Sequence, residues 1–472
     1  MNRYVAHLLL LGLLNGQVDT LWTKIFHYED SDKTGGYFVN LTSDGGYIAT
    51  GERSNDLFLI KTDSEGNEEW TYTFGDTSSG IDDYGNYVQQ TSDGGYIVIG
   101  ETESFASGIW DSDMVLIKLN PFGVEEWFQI FGDDGPNPGI SGQQTTDGGY
   151  VLLSRDSNDI TLIKTDQEGN EVWNKTLLDE ENVDPHRIEQ TNDGGFAIFG
   201  RIGIEENGWD FLILKTDEEG NQEWYSSYGD TDNQNSSGVQ KGQATSDGGY
   251  INVGTIYPNG SAIESVWLIK SDSLGQFEWS KTFNYYNEMG ISVIQTLDGG
   301  YMIMARSFNY SSYNIDVLLI KTDGEGNEQW NKIIFYDGYP LSIQQSPNGT
   351  FIITGRTNGP PWDFDMFLLK TNADSLHNAD MSFTPSKILV NQNYPNPFNP
   401  STTLNFSIPF SDNVNIRVLD IVGREVDVLM NEYLTNGNHS LEWDGREHPS
   451  GIYFISFESG GFVETQKVVL MK

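Results

Sequence analysis

The chain contains no cysteine and few basic residues, and each shortage excludes classes of protein. Without cysteine there is no disulfide framework, no thiolate nucleophile and no cysteine-rich zinc site. The 472 residues include 26 Lys and Arg against 69 Asp and Glu, which gives a formal net charge of −43. A surface this acidic repels phosphate backbones and anionic lipids, so we expect no nucleic-acid partner. Cations and neutral ligands remain compatible with that charge.

Long apolar runs are lacking too. The run at residues 8–14, which follows Arg3 and is interrupted by Gly12, is much shorter than the roughly 20 residues that a membrane-spanning helix needs. It suits the hydrophobic region of a secretory signal peptide. We therefore expect a signal peptide at residues 1–17, with a first β-strand as the alternative, and no transmembrane segment.

Aromatic residues and glycines are abundant instead. The chain has 25 Phe, 23 Tyr and 12 Trp, which is enough for a packed core and argues against disorder. Its 52 glycines favour many short strands joined by tight turns. This composition predicts an all-β protein.

Two short patterns recur along the chain. One begins as "TSDGGYIATG" at Thr42 and has seven copies, the last of which is the divergent "SPNGTFIITG" at Ser346. The other is typified by "LIKTDSEGNEEW", which ends at Trp70, and its Trp lies nine residues after its Lys in each copy. From Trp22 to Trp330 the tryptophans recur in six steps, with a mean period of about 51 residues.

This period is typical of β-propeller blades, each with four strands that we name a to d in chain order. Strand a ends in the pattern "QQTS", strand b is "GGYIxxG", strand c is "xLIK", and strand d carries the Trp. The first Trp, Trp22, has no strand c before it, whereas the last strand c, ending near Lys370, has no Trp after it. We therefore predict a seven-bladed β-propeller over residues 18–372, closed by pairing residues 20–26 with residues 366–371.

The stretch Asp-x-x-Gly-Asn-x-x-Trp resembles the tryptophan-docking repeat of quinoprotein-type propellers, in which the Trp packs between neighbouring blades. The resemblance implies that packing role. The family pattern has one more residue between Asp and Gly, and no residues that would hold a quinone or its calcium can be assigned. We expect no cofactor.

A different module follows a polar linker at residues 373–387. Residues 388–472 carry "NQNYPNPFNPSTTLNFSIP", "VLDIVGREV", "NGNHSLEWDG", "PSGIYFISF" and "KVVLMK" in this order. They resemble the type A C-terminal sorting domain of proteins exported by the type IX secretion system. The resemblance implies an immunoglobulin-like β-sandwich, the secretion machinery as a partner, and a secreted or cell-surface location. A generic adhesive sandwich is the alternative.

The sorting motif that this resemblance implies consists of Asn393, Pro395, Asn396, Pro397, Phe398, Asn399, Pro400, Gly423, Gly451, Tyr453 and Lys467.

Catalytic patterns are missing. The six His show no metal-ligand spacing, and the chain has neither a nucleophile elbow nor a P-loop, so we expect no catalytic residue and no metal. Lys61 and Asp44 have counterparts in most blades, and this repetition favours a structural pairing of hairpins over ligand binding. An active site needs residues that differ between blades, whereas the residues of the core repeat in every blade.

Irregularity is concentrated in the b-to-c and d-to-a loops, which share one side of the ring, here called the variable face. Trp110, Trp209 and Trp362 lie in these loops, each beside an Asp, and we predict ligand contacts there because Trp stacks well on sugars and cations. The sequence leaves two hypotheses open. One is a binding or structural module for a glycan or surface protein, and the other is a polysaccharide-active enzyme, a hydrolase or lyase, that uses carboxylates of these loops.

Overall fold

The computed structural model describes the chain in two compact units, Met1–His377 and Asn378–Lys472. The described residues are 18–28, 33–75, 81–106, 112–132, 135–156, 159–178, 182–204, 208–229, 237–258, 263–285, 287–309, 314–357, 364–372, 389–390, 393, 396–408, 412–434, 437–459 and 462–472. The predicted signal peptide lies outside them.

The first unit is a seven-bladed β-propeller, in which each blade is a four-stranded antiparallel sheet. Blade 1 comprises strands β2 to β5. The numbering continues in chain order to blade 7, which consists of β26, β27, β28 and β1. The strands of blades 1 to 3 are β2 (Thr34–Leu41), β3 (Tyr47–Arg53), β4 (Asp56–Thr62), β5 (Glu68–Phe74), β6 (Asp83–Gln90), β7 (Tyr96–Thr102), β8 (Asp113–Leu119), β9 (Glu125–Phe131), β10 (Gly139–Gln144), β11 (Tyr150–Asp156), β12 (Asp159–Thr165) and β13 (Glu171–Leu177).

The strands of blades 4 to 7 are β14 (Val183–Gln190), β15 (Phe196–Ile204), β16 (Gly208–Thr216), β17 (Gln222–Tyr228), β18 (Ser237–Ala244), β19 (Tyr250–Ile256), β20 (Ser265–Ser271), β21 (Phe277–Phe283), β22 (Glu288–Gln295), β23 (Tyr301–Asn309), β24 (Asn314–Thr322), β25 (Glu328–Phe335), β26 (Gly338–Gln345), β27 (Phe351–Thr357), β28 (Met366–Thr371) and β1 (Thr20–Phe26).

The predicted closure of the ring is confirmed. Strand β1 pairs antiparallel with β28, with Trp22 opposite Lys370 and Phe26 opposite Met366. Blade 7 therefore takes one strand from the start of the propeller and three from its end. On its other side, β2 of blade 1 contacts β26 and β27, so the first and last blades are neighbours.

The burial of the strands follows from their place in the blade. Strand c of blade 1, β4, is buried along its whole length, because it has a neighbouring strand on each side and a neighbouring blade on each face. Strand d, β5, is exposed or half-buried except at its last residue, Phe74, as expected for the outer edge. The apolar core consequently lies between blades, in strands b and c.

The repeated tryptophans lie between neighbouring blades. The ring of Trp70 is 5.5 Å from that of Tyr96 in the next blade, and it lies under Gly123 in that blade's c-to-d turn. Gly123 has a φ of +76°, and a Cβ there would come within 2.6 Å of the indole, so the position requires glycine twice over. Trp70 and its counterparts are half-buried there, except for Trp330, which is buried.

Glutamines join the blades at the face that carries the a-to-b turns. The main-chain N–H of Ser92 in blade 2 donates to Oε1 of Gln144 in blade 3 at 2.8 Å. In the reverse direction, the N–H of Gln144 donates to Oε1 of Gln89 at 2.8 Å. The pattern "QQT" at the end of strand a is thus explained by hydrogen bonds to the blades before and after it.

The repeated lysines are structural, as predicted. The buried ammonium of Lys61 donates to the carbonyl of Thr62 at 2.9 Å and lies 2.8 Å from both Asp44 and Glu69. It therefore ties the a-to-b turn to strands c and d of its own blade. Equivalent Lys–Asp pairs join Lys118 to Asp93, Lys164 to Asp147, Lys215 to Asp193, Lys270 to Asp247 and Lys321 to Asp298.

The second unit is an immunoglobulin-like β-sandwich of a three-stranded and a four-stranded sheet. The first sheet has the order β29-β30-β33, and the second has the order β32-β31-β34-β35. Phe406 and Phe457 meet between the sheets with ring centroids 5.1 Å apart. The strands are β29 (Leu389–Val390), β30 (Ser401–Ile408), β31 (Asp412–Leu419), β32 (Glu425–Leu434), β33 (Gly437–Asp444), β34 (Gly451–Ser459) and β35 (Phe462–Leu470), with a short 3-10 helix at Gly445–Glu447.

Candidate functional site

A cavity of about 330 Å³ lies at the centre of the propeller. Its lining comes from the first half of the inner strands and the last residues of the second strands, including Tyr37, Glu101, Arg155, Arg187 and Lys241. In every blade these ends point to the side of the b-to-c and d-to-a loops. The cavity therefore belongs to the variable face.

The seven blades differ in residue type at one position beside this cavity, the fifth residue after the aromatic residue of the "GGY" pattern. We call these seven residues the belt. They are Glu52, Glu101, Arg155, Arg201, Thr255, Arg306 and Arg356. Acidic residues occupy the belt in blades 1 and 2, and arginines occupy it in blades 3, 4, 6 and 7.

The start of each inner strand inserts a second residue between neighbouring belt positions. In blade 4 this residue is Asp184, which accepts a hydrogen bond from Arg155 of blade 3 at 2.9 Å and lies 2.7 Å from Arg201 of its own blade. Burial alone would raise the pKa of Asp184, but hydrogen bonding and charge from His186 and Arg201 hold that pKa well below its usual range. Asp184 is thus a fixed anion that braces two arginines.

Tyr339 takes the same place between blades 6 and 7. The guanidinium carbons of Arg306 and Arg356 lie 5.1 and 5.2 Å from the centre of its ring. Burial, with the nearby charge of Arg356, lowers the pKa of Arg306. Among the described residues, an aromatic face and not a carboxylate lies between these two arginines, and it is the weaker counter-charge. Glu264 offsets part of the charge of Arg306.

The acidic side of the belt is built differently. The hydroxyl of Tyr37 donates to Glu52 at 2.6 Å. Burial, together with the charges of Glu103 and Asp82, raises the pKa of Glu101 to about 7. A large fraction of Glu101 is therefore protonated and neutral near neutral pH, which makes this wall of the cavity less negative than its residue types suggest.

Two cations lie deeper, at equivalent positions of the inner strands in blades 4 and 5. Arg187 pairs with Glu189 at 2.5 Å, and its Nε is buried without a hydrogen-bond partner among the described residues. The ammonium of Lys241 donates to the main-chain oxygen of Leu341 in blade 7 at 2.9 Å. Burial, together with the charges of Arg187 and Arg306, lowers the pKa of Lys241 to about 8.

Aromatic side chains occupy the same inner-strand position in blades 1 and 2. Phe38 and Tyr87 are buried, and their rings are 4.5 Å apart. The cavity thus combines an aromatic wall with a cationic wall. This arrangement suits a small ligand that carries an anionic group.

We did not identify the belt from the sequence, because we contrasted the residues that repeat in every blade with the variable loops. Its signal is nevertheless present, because the residue after "GGYIxxG" changes from Glu to Arg to Thr around a regular repeat. The net charge of −43 does not show this local distribution of charge. The centre of the variable face concentrates the arginines.

The structure describes one of the three predicted ligand-binding tryptophans, Trp209. Trp110 and Trp362 lie outside the described residues. Trp209 is half-buried in β16, as are most of the repeated tryptophans. The guanidinium carbon of Arg201 lies 4.4 Å from the centre of its indole ring. Trp209 therefore contacts the belt residue Arg201, which in turn pairs with Asp184.

The described residues of the sorting motif hold the sandwich together. Asn396 donates to the carbonyl of Lys467 and accepts from the N–H of Val469, both at 2.9 Å. Phe398 is buried and exchanges main-chain hydrogen bonds with Val469 and Met471, so the motif joins the last strand. Pro395 lies outside the described residues.

The other motif positions are also structural where described. Asn393 is buried and donates to Thr402 at 2.8 Å, and the hydroxyl of Tyr453 donates to the carbonyl of Pro449 at 2.8 Å. Gly423 has a φ of +78° in a tight turn, and Gly451 begins β34. Pro397, Asn399, Pro400 and Lys467 are exposed.

Within the described part of the chain, no group of three or more His, Asp or Glu could hold a metal ion. In the same ranges, no helix is long and apolar enough to cross a membrane.

Comparison with protein families identifies the C-terminal module. Residues 392–471 match the model of the secretion system C-terminal sorting domain. The chain thus carries a type IX sorting domain, which marks it for export to the cell surface or the extracellular space. No curated protein matches the chain.

Solved structures resemble the chain only distantly. YCF48 bound to a D1 peptide is 10% identical, covers 77% of this chain and 100% of its own, and has a TM-score of 0.47. A protein of unknown function from Dyadobacter fermentans is 10% identical, with coverages of 75% and 99% and a TM-score of 0.45. The polysaccharide lyase Uly1 is 10% identical, with coverages of 77% and 94% and a TM-score of 0.45. Likeness at this level carries no argument about function.

Proposed function

We propose that the propeller is a binding module, exported by its sorting domain, that takes its ligand in the central cavity of the variable face. The observation that carries this proposal is the belt. The core, the lysine pairs and the glutamine links repeat from blade to blade, whereas the belt changes its charge around the ring. Stability alone would favour one residue type at all seven positions, so the variation supports a role in recognition.

Trp209 is included in this proposal, with Trp110 and Trp362, as a contributor from the surrounding loops. Its contact with Arg201 connects it to the belt. A change at Trp209 would move that guanidinium and, through Asp184, the cavity wall.

The domain organisation supports delivery by a separable module. We propose a signal peptide at residues 1–17, the propeller at 18–372, a linker at 373–387 and the sorting sandwich at 388–472. The division between Met1–His377 and Asn378–Lys472 falls inside the proposed linker.

A glycan array tests the proposed function. The purified propeller should bind a subset of glycans without cleaving them, and the double variant Arg155→Gln, Arg201→Gln should lose that binding. Lys175→Gln is the matched control, because Lys175 is half-buried on β13, the outer strand of blade 3, and donates to Asn221 of blade 4. Equal binding by the wild type and the belt variant would contradict the proposal.

The second candidate is a polysaccharide-active enzyme. One observation favours it: Glu101 and Asp184 line the same cavity with pKa values displaced in opposite directions, as in an acid and base pair. Shortened products on the array, abolished by Glu101→Gln, would establish this activity in place of simple binding.

A further inference from the structure

Positive side chains gather at the cavity, although the molecule as a whole is strongly acidic. Residues 18–372 contain six arginines in a chain of net charge −43. Four of the six occupy the belt, and a fifth, Arg187, lines the cavity. Only Arg53 is elsewhere, where its guanidinium carbon lies 3.9 Å from the ring centre of Tyr28. The arginines of the propeller are thus gathered around one opening.

Glu101 attracts Arg155 and Glu264 attracts Arg306, but around Lys241 the described carboxylates do not balance the cations. Asp184 is shared by Arg155 and Arg201, and Glu189 serves Arg187. Lys241 has a carbonyl rather than a carboxylate as its described acceptor. The Nε atoms of Arg187 and Arg306 are buried and unpaired among the described residues. An excess of positive charge therefore remains around Lys241.

Keeping such an excess costs stability. Charges that are partly shielded from water and short of counter-charges oppose folding, and the nearby Arg187 and Arg306 increase that cost for the half-buried Lys241. Cations are retained at such a cost where a ligand supplies the missing anion. The neighbouring Phe38 and Tyr87 offer an apolar surface of the kind that packs against the face of a sugar ring.

We propose that the cavity binds a uronic acid unit, whose carboxylate is held by Arg187 and Lys241 while its ring packs toward Phe38 and Tyr87. This inference rests on the proposed function and specifies the class of ligand. A planar guanidinium matches a carboxylate in a two-bond geometry, and the ammonium adds a point charge.

The size and charge of the molecule limit the length of the ligand. At about 330 Å³, the cavity lies at the small end of ligand sites. The net charge of −43 repels a long polyanion outside the cavity. The ligand is therefore a short acidic oligosaccharide or the end of an acidic chain.

Titration calorimetry of the full chain tests this inference with three probes. They are trigalacturonate, the same trisaccharide with its carboxylates reduced to alcohols, and a sulfated neutral trisaccharide. We expect trigalacturonate to bind, its affinity to fall as salt is raised, and the reduced trisaccharide to bind at least about tenfold more weakly, as loss of a charged hydrogen bond implies.

The variant Lys241→Met should weaken trigalacturonate binding by about tenfold or more. Lys281→Met is its control, because it removes the same charge from a half-buried outer-strand lysine that lies away from the cavity and donates to Asn327. Lys241→Met removes a poorly compensated cation, so the variant should remain folded and thermal unfolding will verify this. Arg187→Gln should weaken binding in the same way.

The outcomes separate the two proposals. Equal binding of the acidic and reduced trisaccharides in the cavity would overturn the uronic acid inference and leave the binding function intact. Tighter binding of the sulfated probe would overturn the choice of carboxylate. If no probe binds and the array is also blank, the binding function itself fails.

Discussion

Lys61 and Lys241 show how the surroundings of one residue type decide its role. The side chain of Lys61 is 2% exposed, and its ammonium meets two carboxylates and a carbonyl. The ammonium of Lys241 meets one carbonyl and the field of two arginines. The first arrangement stabilises a blade, whereas the second leaves a charge for a ligand.

The lysine of the blade should matter for stability. Lys61→Met removes three hydrogen bonds and leaves two carboxylates close together, so we expect a loss of roughly 1 to 3 kcal/mol in the free energy of unfolding. Urea titration followed by tryptophan fluorescence measures it. Lys370→Met is the control, because Asn348 replaces the turn Asp in blade 7 and Lys370 donates to Ser64 instead. A larger loss at Lys370 would contradict this account.

The lysine of the cavity should have the opposite effect. Burial and two arginines lower the pKa of Lys241 to about 8, whereas an unfolded lysine titrates near 10.4. Well below pH 8 the lysine is charged in both states, so the folded protein carries the full cost of that charge. The cost falls as pH rises from about 8 towards about 10.4, where the unfolded state also loses its proton. Lys241→Met should stabilise the protein by about 1 kcal/mol at pH 7, after loss of the bond to Leu341.

Thermal unfolding of Lys241→Met and wild type at several pH values will check this sign. The advantage of the variant should be constant below pH 7 and should shrink between pH 8 and about 10. A variant that is less stable than the wild type at pH 7 would show that Lys241 is already compensated.

At the scale of the element, strand β1 decides whether the ring is closed. Its pairing with β28 covers the last free edge of blade 7. The sequence predicted this strand because Trp22 has no strand c before it, whereas the last strand c, ending near Lys370, has no Trp after it. It placed the strands well for the same reason: the turns "DGG" and "DxxGN" recur with fixed spacing.

Removal of residues 18–26 should open the ring. We expect the midpoint of thermal unfolding to fall by roughly 5 to 10 °C, and the exposed edge of β28 to promote self-association. Calorimetry and light scattering measure these effects. A synthetic peptide of residues 18–26 should restore the midpoint by adding the missing strand. An unchanged midpoint without the peptide would contradict the role given to β1.

At the scale of the whole molecule, two units with unrelated patterns divide the work. The propeller holds the cavity, and the sandwich carries the sorting motif, whose Asn396 and Phe398 are joined to the last strand. Because these contacts are internal to the sandwich, the motif should fail when the terminal strand is lost.

Truncation after Thr384 should separate export from folding. In a host with a type IX system, the truncated chain should stay in the periplasm while its propeller keeps the circular dichroism and ligand binding of the full chain. Cell fractionation and immunoblotting measure the location. Arrival of the truncated chain at the surface would contradict the sorting role and favour an adhesive sandwich.

The sequence by itself determined the blades, their number, the closing strand and the sorting module. Each of these depends on patterns that lie within one repeat or one motif, so they can be read along the chain. The candidate site could not be read in this way. Asp184 lies between two arginines, Arg155 and Arg201, from different blades, and Lys241 reaches a carbonyl 100 residues away, at Leu341. Only closure of the ring brings one residue from each blade to a common centre. The charge of that centre is the sum of the charges of those residues, which no single repeat contains.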